Sequence, residues 1–347
     1  MNKHGGYQGE NKEMLDFSVN INPLGIPAGI REKLMAGIDE LVKYPEISGV
    51  SAIEKIANDL AVLPENIILG NGAIELIYLF ARSMGPGKAL IVQPTFNEYE
   101  RALKLYGWEV VHHVVTEQDG FIINPEALAA VIKNEKPQAV FLCNPNNPTG
   151  RVHSNGFIRE MLEHSAPEIN WFLDESFMDF SEESGSLLLV KEAKPSVFIL
   201  KSLTKFYALP GLRIGYGVGV APMIKKMEHF KEPWTINALG LIAATGVYDE
   251  KDYAAKTKTY IKGEAQRVFE ALSQIKTLKV YKSDTDFHLC RLLTGTAAEL
   301  QMALEKEGMS LRTCEDFIGL DKSYFRIAIK KEADNTKLLT FLKNWRN

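Results

Sequence analysis

The sequence predicts an α/β fold, because short apolar runs alternate along the chain with helical patterns. Each run has the length and composition of a buried strand, and the runs at 67–69, 89–92 and 139–142 are followed by turns that contain glycine, proline or asparagine. The runs that carry this prediction are residues 67–69, 89–92, 139–142, 171–173 and 197–200. At about 150 residues per domain, a chain of 347 residues favours two domains. Functional side chains in such folds lie beyond the carboxyl ends of the strands, so the turns after these runs are the candidate sites.

Helical patterns fill the intervals between the strands. Residues 27–44 predict a helix that Pro27 opens, since proline suits the first helical position. Residues 51–54, Ser-Ala-Ile-Glu, predict a capping box for the next helix, and residues 76–84 form an apolar helical pattern. A long helix over about residues 249–274 leads to a second α/β unit. The predicted strands of that unit are residues 279–281, 287–293 and 324–329.

Composition excludes several functional classes. The net charge is −4 and the basic residues are dispersed, so neither nucleic acid nor a membrane surface is an expected partner. The cysteines are Cys143, Cys290 and Cys314, an odd number far apart, which predicts neither a disulfide framework nor a metal site. The first sixteen residues are polar, which predicts no secretory signal, and no run approaches the ~20 apolar residues of a membrane helix. We therefore expect a cytoplasmic protein.

The segment around Lys205 is the most informative for function. It follows the strand at residues 197–200 and places Lys205 among apolar side chains. Burial lowers the pKa of a lysine, and a neutral amine is a Schiff-base nucleophile. Ser202, Thr204 and Arg213 are suited to hold an anion beside it. On this stretch alone, a surface lysine and an ion pair of Arg213 at a strand edge explain the residues equally well.

Three other turns carry candidate chemistry. After strand 67–69, a glycine turn opens a helix, and the free N–H groups of a helix start bind anions. The turn at residues 144–150, Asn-Pro-Asn-Asn-Pro-Thr-Gly, follows the strand at 139–142. Asp174 ends an apolar run, where a carboxylate is costly to bury unless it is paired. A role as a helix cap is the alternative for Asp174.

Together these motifs resemble the lysine site of the fold-type I enzymes that use pyridoxal 5'-phosphate. The similarity is strongest to the histidinol-phosphate aminotransferase-like group of the class I/II aminotransferases, and within it to the threonine-phosphate decarboxylase branch. It rests on Ser-Leu-Thr-Lys at residues 202–205 with Arg213 eight residues later, on the Asn-Pro-Thr-Gly turn at 147–150, and on Pro-Trp-Thr-Ile-Asn-Ala at 233–238. The match extends over nearly the whole chain.

The resemblance implies a large domain with a mostly parallel seven-stranded sheet and a smaller α/β C-terminal domain. We expect residues 1–44 to form an N-terminal arm and part of the small domain. Residues 45–248 would form the large domain that binds the cofactor, and residues 249–347 the small C-terminal domain.

The resemblance also implies pyridoxal 5'-phosphate as the cofactor, held as a Schiff base on Lys205, and no metal. In the family, backbone N–H groups at the positions of Gly72 and Ala73 bind the phosphate, and an aromatic at the position of Phe96 stacks on the ring. Asp174 would pair with the pyridine nitrogen, and Tyr44 would reach the partner's site in a homodimer. Packing roles remain the alternatives for Phe96 and Tyr44. The implied cofactor-binding residues are Tyr44, Gly72, Ala73, Phe96, Asn147, Asp174, Ser202, Thr204, Lys205 and Arg213.

The same resemblance implies a substrate site. Arg326 lies mid-strand among apolar residues, an expensive place for a charge without an anion, and the family uses it to bind the substrate carboxylate. Arg312 lies fourteen residues earlier and would bind a second anionic group, although a solvated loop position also explains it. The motif His-Gly-Gly at residues 4–6 belongs to an arm that folds over the site in the decarboxylase branch. The implied substrate-binding residues are His4, Gly5, Asn20, Asn147, Arg312 and Arg326.

The activity that the resemblance implies is decarboxylation of O-phospho-L-threonine to (R)-1-aminopropan-2-yl phosphate in cobalamin biosynthesis. Aminotransferases of the group usually have tyrosine where this chain has Phe177, which favours the decarboxylase branch. The motifs themselves leave transamination of histidinol phosphate or a related amino acid open. A non-catalytic protein of the same fold is disfavoured, because Lys205, Asp174, Asn147 and Arg213 are all retained.

Overall fold

The large sheet forms the centre of the computed structural model, which describes residues 5–7, 9–11, 13–187, 190 and 197–345. Its seven strands lie in the order β2-β8-β7-β6-β5-β3-β4. Strand β8 is antiparallel to both of its neighbours, and the other pairs are parallel. The predicted mostly parallel seven-stranded sheet is confirmed. The strands are β2 (Ile67–Asn71), β3 (Lys88–Gln93), β4 (Glu109–Val114), β5 (Ala139–Cys143), β6 (Asn170–Asp174), β7 (Val197–Ser202) and β8 (Ile214–Gly219).

Both faces of this sheet are buried, which explains why its strands are continuous apolar runs. In β5, Val140 and Leu142 belong to the apolar core on one face, and Ala139 and Phe141 belong to a second core on the other. The described helices up to residue 244 are α1 (Ala28–Ala36), α2 (Val50–Leu60), α3 (Gly72–Met84), α4 (Glu98–Leu105), α5 (Pro125–Glu135), α6 (Asn155–Glu163), α7 (Leu203–Phe206), α8 (Ala221–His229) and α9 (Ala238–Ala244). None of the helices in the described ranges has the length and apolar character needed to cross a membrane.

A smaller antiparallel sheet has the order β12-β13-β10-β9 and is flanked by three helices. The strand β1 pairs in parallel with β11, with Leu15 opposite Met309, so this N-terminal segment joins the C-terminal part. The boundaries of the two domains stay a prediction. The elements of this part are β1 (Leu15–Asp16), α10 (Lys251–Ser273), β9 (Leu278–Val280), β10 (Phe287–Leu292), α11 (Ala297–Lys306), β11 (Met309–Ser310), β12 (Arg312–Thr313), β13 (Tyr324–Ala328) and α12 (Glu332–Asn344).

Two predictions of local structure were wrong. The helix predicted over residues 27–44 ends at Ala36 and gives way to a 3₁₀ turn at Ile38–Val42. The predicted capping box lies inside a helix, because α2 begins at Val50 after Gly49, whose φ of 70° is left-handed. The backbone N–H of Ser51 donates instead to Glu46 Oε2 at 2.9 Å. Glycine at residue 49 therefore sets the start of this helix through its backbone conformation.

The two sheets are joined by a half-buried polar cluster around Glu117, which follows β4. Its carboxylate accepts hydrogen bonds from Lys279 (2.6 Å), Tyr281 (2.7 Å), Arg291 (2.5 Å) and Tyr324 (2.9 Å), all on or next to strands of the small sheet. Burial by itself raises the pKa of Glu117, but the hydrogen bonds and the charge of Arg291 together lower it to about 2. The ionised carboxylate thus stabilises the contact between the sheets.

We expect Glu117→Gln to lower the free energy of unfolding by about 2–3 kcal/mol at pH 7, since each unit of pKa shift corresponds to ~1.4 kcal/mol and solvent screening at a partly exposed position reduces the total. A lowered folded-state pKa contributes stability above the unfolded pKa, and that contribution is lost as pH falls towards the folded pKa. The difference between wild type and variant should therefore shrink between about pH 4.5 and pH 2, measured by urea unfolding. The control is Glu109→Gln, whose exposed pair with Lys88 should contribute less than about 1 kcal/mol. A difference independent of pH would contradict the assignment.

Candidate active site

A cavity of about 280 Å³ lies at the carboxyl ends of β6 and β7, between the large sheet and the small one. This is the position expected for a site in an α/β fold. Residues from the N-terminal arm, the large sheet and the small sheet all contribute to its wall. The lining residues are Gly5, Ser18, Val19, Asn20, Ala73, Ile74, Ile77, Phe96, Asn97, Tyr99, Cys143, Asn147, Asp174, Ser176, Phe177, Ser202, Thr204, Lys205, Arg213, Arg312, Phe317 and Arg326.

Lys205 projects into this cavity from α7, the single helical turn after β7. Ser202, the last residue of β7, caps that turn by accepting the N–H of Thr204 at 3.4 Å. Burial, together with the nearby charges of Arg326 and Arg213, lowers the pKa of Lys205 to about 8. A large fraction of the amine is neutral at mildly alkaline pH, as a nucleophile requires. The alternative that Lys205 is a surface loop residue was wrong.

Asp174 forms an acidic wall of the cavity at the end of β6 and is 5% exposed. Its Oδ2 accepts a hydrogen bond from the Tyr99 hydroxyl at 2.6 Å, and its Oδ1 accepts the N–H of Ser176 at 2.8 Å. Burial raises the pKa of Asp174, while the hydrogen bonds from Ser176 and Tyr99 lower it. The carboxylate is therefore held in one orientation and suited to a cationic partner.

Tyr99 is a site residue that the sequence analysis missed. It is 1% exposed, and its ring contacts Phe96 edge-on at 5.7 Å between centroids. Phe96 and Tyr99 are three residues apart near the start of a helix, a spacing that places two side chains on the same face. This spacing was the signal in the sequence that could have identified Tyr99. The contact with Asp174 depends on a separation of 75 residues and has no local signature.

One end of the cavity contains Ala73 at the start of α3, the hydroxyls of Ser202 and Thr204, and Arg213, the residues predicted to bind an anion. The two hydroxyls are 2.7 Å apart. One expectation needs correction: the N–H of Gly72 donates to the Arg213 carbonyl at 2.8 Å and is not available to an anion. Gly72 is favoured for a different reason: its φ of 69° is left-handed, a backbone conformation that residues with a Cβ rarely adopt.

The opposite end of the cavity contains two arginines directly opposite each other on adjacent strands. Arg326 of β13 pairs in register with Arg312 of β12, and each is 6% exposed. Arg326 donates from Nη1 to Asn147 Oδ1 and from Nη2 to the Ser18 carbonyl at 2.7 Å. Burial and the charge of Arg312 lower the pKa of Arg326 to about 10. Two buried guanidinium groups on directly opposite strand positions are suited to bind anionic groups.

Arg312 is not a solvated loop residue. Its guanidinium donates from Nη1 to the Thr313 carbonyl and from Nη2 to Asp316 Oδ2 at 2.8 Å, and it lies 5.0 Å from the centre of the Phe317 ring. The role of Asp316 was missed by the sequence analysis, although the spacing of four residues between opposite charges was a signal.

The N-terminal arm reaches the cavity at Gly5 and Asn20. A Cβ at Gly5 would collide with the Ser18 carbonyl, so only glycine permits this approach. Asn20 is 2% exposed, and its buried Oδ1 has no hydrogen-bond partner among the described residues. A buried acceptor of this kind in a cavity wall is suited to accept a hydrogen bond from a ligand. His4, also expected here, lies outside the described residues.

Of three aromatic residues singled out in the sequence, two line the cavity and one does not. Phe96 and Phe177 line the cavity, and Phe177 packs edge-on against Phe287 at 5.1 Å between ring centroids. Tyr44 is 87% exposed, lies beside Trp234, and does not line the cavity of its own chain. Its predicted contact with a partner subunit stays a prediction.

Comparison with known proteins identifies a family. Residues 12–342 match the family model of the class I and II aminotransferases. The threonine-phosphate decarboxylase of Salmonella typhimurium is 34% identical over 96% of this chain and 91% of its own length. The histidinol-phosphate aminotransferase structure from Clostridium acetobutylicum superposes with a TM-score of 0.88 at 34% identity, covering 95% of this chain and 98% of that one. The L-threonine-O-3-phosphate decarboxylase structure from Porphyromonas gingivalis gives 0.86 at 29% identity, with coverages of 95% and 98%.

Proposed function

The chain belongs to the class I and II aminotransferase family, and from that premise we propose that it decarboxylates O-phospho-L-threonine to (R)-1-aminopropan-2-yl phosphate, as a step of cobalamin biosynthesis. The observation that carries the proposal is the pair of buried arginines, Arg312 and Arg326, in the same cavity as Lys205. Two cations match the carboxylate and the phosphate of a single doubly anionic amino acid.

The donor set around the cavity fits pyridoxal 5'-phosphate. Asp174 is a buried carboxylate held by two donors, and a protonated ring nitrogen would neutralise it. Ala73, Ser202, Thr204 and Arg213 would hold the phosphate, and Phe96 offers an aromatic surface for the ring. When bound, this cofactor supplies a conjugated cationic ring that withdraws electrons from the Cα of an amino acid.

The residues of the chain decide which bond at Cα breaks. Only a bond perpendicular to a conjugated ring overlaps its π system, so orientation of the substrate selects between loss of CO2 and loss of a proton. Arg326 is fixed by Asn147 and by the Ser18 carbonyl of the arm. We infer that these contacts, with Gly5 and Asn20, hold the α-carboxylate in the perpendicular direction.

Lys205 would perform the proton transfer that completes the reaction. After CO2 leaves, Cα needs a proton, and an amine whose pKa is about 8 can donate one from Nζ near neutral pH. The same amine would remove the Cα proton if that bond were the perpendicular one. Transamination of histidinol phosphate or a related amino acid is therefore the second candidate, and the similarity to the Clostridium acetobutylicum aminotransferase favours it. Against it stands Phe177, which has no hydroxyl where aminotransferases of this group usually have one.

A paired assay tests the proposal. Purified protein loaded with pyridoxal 5'-phosphate is given O-phospho-L-threonine, and CO2 release is measured beside conversion of 2-oxoglutarate to glutamate. We expect CO2 without glutamate. Glutamate without CO2 would overturn the proposal, and histidinol phosphate would then be the substrate to test. L-Threonine is the control for the phosphate requirement.

We also propose a homodimer in the cytoplasm. Seven of the exposed large apolar side chains lie within residues 35–50, among them Val42 and Tyr44, and Trp234 lies beside Tyr44. Such a concentration of exposed apolar side chains in one segment is typical of a subunit interface. Val42→Glu should shift the sedimentation coefficient from dimer to monomer, whereas Leu293→Glu, at an isolated exposed leucine, should leave it unchanged. A monomeric wild type would contradict the interface.

A further inference from the structure

We propose that Asp316 is a positioning residue that orients Arg312 for the phosphate of the substrate and connects Arg312 to the large-sheet side of the cavity. This inference rests on the proposed function, because it assigns the phosphate to Arg312. Asp316 lies four residues beyond Arg312 and directly before Phe317, whose ring packs against the guanidinium of Arg312.

The contacts of Arg312 show how its side chain is fixed. Nη2 donates to Asp316 Oδ2 at 2.8 Å, Nη1 donates to the Thr313 carbonyl, and Phe317 packs against the face of the group. A guanidinium held at both terminal nitrogens and on one face loses little conformational entropy when it binds an anion.

Asp316 also connects the two sides of the cavity. Asn97, next to Phe96 on the large-sheet side, donates from Nδ2 to both the carbonyl oxygen and Oδ2 of Asp316, each at 3.1 Å. Oδ2 therefore accepts from Arg312 and Asn97 together, across a separation of 219 residues. The anion-binding arginine and the segment with the candidate stacking residue are held in one arrangement by this oxygen.

The charge of Asp316 is needed because Arg312 and Arg326 are opposite one another and both are buried. Two such cations repel each other, and each pays a desolvation cost. One nearby carboxylate offsets part of this repulsion before a substrate arrives. Its Oδ1 is buried and has no partner in the described part of the chain, so the group is not satisfied by its protein contacts alone.

The predicted effect is on affinity for phosphorylated ligands. Replacing Asp316 by asparagine keeps the shape but replaces a hydrogen bond to a charged group with a neutral one, which corresponds to roughly a tenfold loss of binding. In the holoenzyme, Asp316→Asn should raise KM for O-phospho-L-threonine about tenfold and leave kcat within about twofold. A merely structural role would lower kcat and thermal stability together.

The experiment measures binding as well as turnover. Calorimetric titration of the holoenzyme with inorganic phosphate is done for wild type, Asp316→Asn, Asp316→Ser, Arg312→Ala and the double variant Asp316→Asn with Arg312→Ala. Glu307→Gln, at an exposed acid after α11, controls for the loss of one negative charge. If Asp316 acts through Arg312, its replacement should have no further effect in the Arg312→Ala background.

The outcomes separate this inference from the proposed function. The role of Asp316 is supported if Asp316→Asn weakens phosphate binding in the wild-type background but has no effect in the Arg312→Ala background. This support holds even if the assay above shows that the enzyme transaminates histidinol phosphate. Unchanged binding overturns it. Tighter phosphate binding in Asp316→Asn also overturns it, because Asp316 would then compete with the ligand for Arg312.

Discussion

Replacement of Lys205 by alanine is expected to lower turnover of O-phospho-L-threonine by at least about 10⁴-fold, since one group supplies both covalent attachment and proton transfer. The physical basis is the position of the amine in the cavity and its pKa of about 8, which burial produces. No other lysine lines the cavity in the described residues. A variant that turned over at the wild-type rate would remove Lys205 from the mechanism.

A covalent-trapping measurement tests the attachment of the cofactor to Lys205 without measuring turnover. Borohydride reduction of the loaded wild type should leave pyridoxal 5'-phosphate attached after denaturation, whereas Lys205→Ala should release it. The variant should still bind the cofactor non-covalently, because Asp174, Ser202, Thr204 and Arg213 are unchanged. Lys258→Ala, at an exposed position on α10, is the matched control and should behave as wild type.

Replacement of Arg326 by alanine is expected to raise KM for the amino acid about 100-fold, because truncating a buried charge that pairs with a ligand costs ~2–5 kcal/mol. The guanidinium contacts Asn147 and the Ser18 carbonyl, so its loss also frees the arm from the turn that carries Asn147. Arg326→Lys keeps the charge but cannot form a bidentate contact with a carboxylate, so it should recover only part of the affinity for the amino acid.

Steady-state kinetics on the loaded enzyme test this expectation. The control is Arg291→Ala on the neighbouring strand β10, which removes a partner of Glu117 and should lower stability without changing KM. An unchanged KM in Arg326→Ala would exclude Arg326 from the substrate carboxylate site. Equal increases in both variants would indicate a general loss of structure.

Local patterns placed several candidate residues at the right edge of the sheet, and the family resemblance assigned their roles. Lys205 and Asp174 each follow a buried apolar strand, and the carboxyl ends of β6 and β7 meet at one edge of the sheet. Arg326 was predicted because a charge inside an apolar strand requires a partner. The placement of these residues in one cavity was predictable because burial and strand direction are encoded within a few neighbouring residues, whereas their roles stay predictions.

Other contacts depend on residues that are distant in sequence. Tyr99 and Asp174 are 75 residues apart, and Asn97 and Asp316 are 219 apart, so no periodic pattern connects them. The cluster at Glu117 likewise needs the small sheet to dock beside β4. Hydrogen-bond competition is also invisible in sequence, as the N–H of Gly72 illustrates by donating to Arg213 rather than to an anion.

The sequence by itself determined the α/β class, the mostly parallel sheet through the family resemblance, and the residues with the chemistry for a lysine-linked cofactor. Only the tertiary structure decided how those residues are oriented: Asp174 by Tyr99, Arg312 by Asp316, and Arg326 by Asn147 and the arm. The physical reason is that residue type and local burial specify what a side chain can do. Its direction is set by partners that the docking of two separately formed sheets brings within hydrogen-bond distance.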